Sequence, residues 1–138
     1  MFIHARKIIN HFAKNPKMLF LMDALGALLT AFFLFVVLRN FNTCFGMPVC
    51  ILSYLAAIAA CFCIYSMSCF LLLKKNWTPF IIAIAVANLL YCILTSLLLI
   101  LYFPQLTAIG VFYFLFEIVL ICVLVYFEMM VARTIKNR

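Results

Sequence analysis

The chain has 138 residues, 71% of them hydrophobic and 9% charged, with ten Lys and Arg against three Asp and Glu. That composition excludes a soluble globular domain, and nothing of domain size is left outside the apolar runs. The net charge of +7 is carried at the ends of those runs, which argues for anionic lipid headgroups as its counterpart and against a nucleic-acid partner.

Residues 1–15 predict a separate module. At helical period Phe2, Ala5, Ile8, Ile9, Phe12 and Ala13 share one face, while His4, Arg6, Lys7, His11 and Lys14 gather on the other. Ile3 is the exception. This is the pattern of an amphipathic helix lying in the membrane interface. Asn15-Pro16 breaks it and opens the next helix, because proline suits a first helical turn. The basic stretch before an apolar run imitates a signal peptide. The run is too long for one and lacks a small-residue cleavage motif, so an uncleaved signal anchor is expected.

Four apolar runs follow, at residues 18–38, 48–73, 79–103 and 107–132. Each reaches the ~20 residues needed to cross a hydrocarbon core of ~30 Å. Asn40 to Pro48 reads as one outer loop and Tyr102 to Gln105 as the other. Lys74 to Thr78 is a short inner turn, where Thr78 is placed to cap a helix opening with Pro79. Thr107 is placed to cap the last helix. Of the ten basic residues, nine fall before span one, between spans two and three, or after span four, and only Arg39 falls on the other side. That asymmetry predicts cytoplasmic termini. The fold expected for residues 1–138 is a single all-α membrane domain. It is an up-and-down four-helix bundle with an N-terminal amphipathic interfacial helix.

All three acids, Asp23, Glu117 and Glu128, lie inside spans, where a carboxyl group is costly and marks a candidate site. Counted from the span ends at ~1.5 Å per residue, Glu117 and Asn88 lie ~14–15 Å deep, and Asp23 and Glu128 only ~7–8 Å. Glu117 and Glu128 share one face of span four. Asn88 and Tyr91 lie on a small-and-polar stripe of span three, and Ser66 lies beside the corresponding stripe of span two. If the bundle closes in sequence order, Glu117 faces Asn88 on span three, with Tyr91 as a further partner, and Asp23 lies near Glu128. Glu117 is then expected to keep its proton at neutral pH, since ionisation where water is scarce is unfavourable. The alternative for Asp23 and Glu128 is a snorkelling or paired role with Lys17, Lys75 or Arg133. The bland reading for the whole set is that interhelical hydrogen bonds pin the bundle in one register.

Other chemistry finds little support. Cys61 and Cys63 form C-x-C in mid-span, and Cys44 and Cys50 are the one pair placed for a small disulfide. Both histidines lie in residues 1–15, so no metal or haem ligand is available inside the bundle and no cofactor is expected. Small multidrug exporters share the size and the use of a membrane carboxylate, but their working carboxylate lies in the first span, where this chain has Asp23 near the boundary. The whole chain resembles small four-span proteins of bacterial inner membranes, a resemblance that implies topology and no activity. The function expected is non-enzymatic: binding of a lipid-like or hydrophobic ligand, or of a partner's membrane helices, through the buried polar face. The alternatives are a proton-coupled small transporter using Glu117, as a parallel homodimer, and a membrane-embedded lipid-modifying enzyme.

Overall fold

The computed structural model describes residues 1–138 and is helical almost throughout. A short helix α1 (Phe2–Lys14) leads into the first long helix, α2 (Pro16–Leu38). A single-turn helix α3 (Asn42–Phe45) sits in the loop that follows. Three more long helices complete the chain: α4 (Val49–Leu72), α5 (Trp77–Leu101) and α6 (Ala108–Lys136). The long helices have 23, 24, 25 and 29 residues, hence lengths of roughly 34–44 Å, and each is long and apolar enough to cross a membrane.

The boundaries follow local chemistry. Pro16 occupies the first turn of α2, where its missing N–H is no loss. The last six residues of α2, Phe33–Leu38, widen into a π-helical segment. Thr107 caps α6 by accepting the Gly110 N–H at 3.2 Å. The cap expected of Thr78 is not made. Asn76 before it takes a left-handed conformation (φ 57), which asparagine tolerates, so α5 already begins at Trp77. The last helix also runs four residues beyond the apolar stretch, to Lys136. Basic residues favour a helix C-terminus, so loss of hydrophobicity does not end the helix.

The long helices form two hairpins, α2 with α4 and α5 with α6. Within each, the two helices pack along one another. Between the hairpins contact is sparse, and α2 and α6 barely meet. Spans four and one are therefore not packed along one another as closure in sequence order expects, and they meet only where Asp23 approaches Glu128. Two apolar layers hold the molecule. One lies at the end bearing both termini and includes Leu19, Phe20, Ile81, Ile84 and Val131. The other lies at the opposite end and includes Leu34, Leu52, Leu55 and Phe114. Ile9 and Ala13 of α1 belong to the first layer, whereas Phe2, Ile3 and Ile8 are exposed.

At the opposite end the two loops are tied together. The Thr107 hydroxyl donates to the Cys44 carbonyl, and the Thr107 N–H donates to the Phe45 carbonyl at 3.2 Å. Two glycines permit this approach. A Cβ on Gly46 (φ 81) would lie 2.1 Å from the Gln105 carbonyl oxygen, and one on Gly110 would lie 2.2 Å from that of Phe45. All seven cysteines are free, Cys44 and Cys50 included, so the small loop disulfide is not formed.

Candidate functional site

Between the two apolar layers lies a polar one, with a residue from each long helix. Asp23 of α2 accepts from the Ser66 hydroxyl of α4, which joins the first hairpin internally. The Asn88 amide of α5 donates to Asp23 at 3.0 Å and toward both oxygens of Glu128 of α6 at 3.5 Å. Asn88 therefore links the second hairpin internally and bonds it to the first. The burial is deep, with Glu128 at 0% and Asp23 at 2% exposure. Neither acid reaches for Lys17, Lys75 or Arg133. Both turn inward, to Ser66, Asn88 and one another. Asp23 is seven residues from the start of α2 and Glu128 eight from the end of α6, or ~10–12 Å.

Glu117 stands apart from this layer. The Tyr91 hydroxyl donates to its Oε1 at 3.1 Å, and the edge of Phe62 packs on the Tyr91 ring, with centroids 6.0 Å apart. The expected bond between Glu117 and Asn88 is not made. Asn88 is drawn instead to Asp23 and Glu128, leaving Tyr91, one helical turn on, as the partner of Glu117. The second Glu117 oxygen, Oε2, is buried without any partner, in a residue only 6% exposed. A buried acceptor left in this state costs about 1–3 kcal/mol.

Glu117 lines a cavity of about 450 Å³, within the range of small-molecule sites. The cavity fills the gap between α2 and α6. Ala59 and Phe62 of the first hairpin, with Asn88 and Tyr91 of the second, form its back wall. Leu29, Phe33, Phe116 and Leu120 form its rim, and all four are exposed. The mouth therefore opens sideways, on the surface that four membrane-crossing helices turn toward lipid. Gly26 and Ala27 keep the α2 side low, and nothing lies within 4 Å of a Cβ placed on Gly26. Asp23, Asn88, Tyr91 and Glu117 all reach this one cavity, whereas Glu128 lies behind it.

Three contributors are not singled out as site residues by the sequence. Ser66 reads there only as a neighbour of a packing stripe. A usable signal exists, since Ser66 lies about as far from the end of α4 as Asp23 lies from the start of α2. Thr30 and Tyr113 also line the cavity; helical spacing puts Thr30 on one face of span one with Asp23, Gly26 and Ala27, and Tyr113 on the Glu117 face of span four, but gives neither a role. The chain matches no known protein family, no curated protein and no solved structure.

Proposed function

We propose that this chain is a non-enzymatic membrane protein that takes one lipid-like or hydrophobic ligand from the side, between α2 and α6. The observation that carries this reading is the laterally open apolar cavity, with Glu117, one of whose carboxyl oxygens has no partner, in its lining. Apolar walls with a few convergent polar groups characterise small-molecule sites. A mouth in the lipid-facing surface suits a ligand that partitions into the bilayer. The nine-to-one distribution of basic residues supports a bacterial inner membrane setting with both termini in the cytoplasm. There α1 would rest in the interface, Ile9 and Ala13 against the bundle and Phe2, Ile3 and Ile8 against acyl chains.

The test is mass spectrometry of gently purified protein, wild type and Leu120→Trp. Leu120 is half exposed at the rim, so an indole there narrows the mouth without disturbing either apolar layer. The wild type should carry a stoichiometric lipid-like mass that the variant loses. Identical ligand-free masses for both would overturn the proposal.

A second reading, a proton-coupled carrier, is favoured by the same free Glu117 oxygen. It requires that Glu117→Gln abolish a flux driven by a pH gradient while the protein stays folded.

A further inference from the structure

If the cavity takes a ligand, as proposed above, its acids narrow the ligand class. Glu117 presents an unpartnered oxygen from a side chain more than nine-tenths buried. Asp23 lines the same space, and no Lys, Arg or His does. What the site lacks is a hydrogen-bond donor carrying positive charge. The remaining walls suit such a group, because Phe62, Phe116, Tyr91 and Tyr113 offer aromatic rings around the carboxyl, and ring faces attract cations.

We propose that the cavity binds a lipophilic amine, a hydrocarbon chain ending in a basic nitrogen. The chain lies along the apolar mouth between α2 and α6, and the nitrogen meets the Glu117 carboxyl, whose Oε2 it supplies with a partner. An amine arriving from lipid as the free base takes the proton of the Glu117 carboxyl. The N–H bond forms as the O–H bond breaks, giving an ammonium–carboxylate pair. No net charge has entered the bilayer, so the cost of bringing a bare ion into hydrocarbon is avoided. The Tyr91 hydroxyl, already donating to Oε1 at 3.1 Å, stabilises the carboxylate that results. An ionised fatty acid finds two acids and no cation in the lining and is disfavoured. A fatty alcohol fills the same volume but makes only a neutral hydrogen bond, the weaker kind.

The experiment compares radiolabelled N,N-dimethyldodecylamine and dodecanol, chains of equal length, binding to the full chain in nanodiscs of zwitterionic lipid. Empty nanodiscs supply the partitioning background. Wild type should hold the amine about ten-fold more tightly than the alcohol, the range of a hydrogen bond to a charged group. Glu117→Gln should remove that preference and leave the alcohol within about two-fold of wild type. Leu120→Trp should weaken both. Saturable binding of the two probes with equal affinity to wild type would overturn the amine assignment while leaving the cavity reading intact. That result needs no variant to fold. A preference for amine that survives in a folded Glu117→Gln protein would overturn it as well. No saturable binding of either probe, with Leu120→Trp indistinguishable from wild type, would overturn the cavity reading itself.

Discussion

Asn88→Ala should separate the two hairpins more effectively than any other single truncation in the polar layer. The wild-type amide makes one good bond, to Asp23 at 3.0 Å, and two long ones to Glu128 at 3.5 Å. The first is worth about 0.6 kcal/mol as a typical interhelical bond in a membrane, and about 1.7 at most. The long pair lies at the edge of useful geometry and contributes little directly. More of the loss comes from what remains behind. Asp23 keeps Ser66, but the fully buried Glu128 loses the amide that faces it, which costs about 1–3 kcal/mol. The total expected is about 2–4 kcal/mol. Reversible unfolding in mixed micelles, titrated with a denaturing detergent, measures it. A double-mutant cycle with Asp23→Ala should return a coupling of about 0.6–1.7 kcal/mol. Asn88→Asp should be at least as damaging as Asn88→Ala. It keeps the shape but places a third acid among two, with like charges in low dielectric. A loss below about 0.5 kcal/mol for Asn88→Ala, with no coupling to Asp23, would refute the idea that this layer joins the hairpins.

Two further outcomes test the end opposite the termini. Gly46→Ala should lower the thermal midpoint clearly, since it strains a residue at φ 81 and drives a Cβ to 2.1 Å from the Gln105 carbonyl. Gly26→Ala, with nothing within 4 Å, should be neutral or stabilising by up to about 1 kcal/mol, so the two substitutions should move the melting temperature in opposite directions. Thr107→Val removes both the cap of α6 and the bond to the Cys44 carbonyl. It should cost about 1–2 kcal/mol, and proteolysis of the loop at residues 42–48 should accelerate with it.

The number and placement of the long helices are legible in the sequence because a membrane crossing needs length and hydropathy and little else. The approach of Asp23 to Glu128 is also legible, from two acids near one end of the chain's first and last spans. The partner of Glu117 is not. Counting from the end of an apolar run gives depth along one helix, but it does not give the vertical offset between helices. Helix α6 continues four residues past the apolar run and α5 starts two residues before it, shifts of ~3–6 Å along the axis. Such shifts lower Asn88 only part of the way toward Glu128, and the side chains span the rest: Asn88 meets Asp23 and Glu128, while Tyr91, one turn on, meets Glu117. The cavity is hidden for a different reason. Small residues such as Gly26 and Ala27 on α2 signal close packing of membrane helices as readily as open space. Only the separation of α2 from α6 decides between those outcomes.

The two acidic environments divide along the line of hydrogen-bond satisfaction. Asp23 and Glu128 lie in a layer where the two acids meet each other as well as Ser66 and Asn88. A network closed in that way specifies one arrangement of helices and has little capacity left for a ligand. Glu117 is held on one side only, by Tyr91 at 3.1 Å; its other oxygen is buried without a partner, and the residue lines the cavity. A fold that needed this carboxyl solely for register would gain by giving Oε2 a donor, and the Thr95 hydroxyl, itself buried without a partner, lies one turn from Tyr91 on the same helix. Instead the carboxyl that lines the space between the hairpins keeps an unsatisfied oxygen. Asn88 is the residue common to both environments, because it fastens the hairpins behind the cavity while forming part of its wall. Occupation of the cavity would bear directly on the joint between the hairpins, so a ligand that binds there should also raise the energy needed to part them, by linkage.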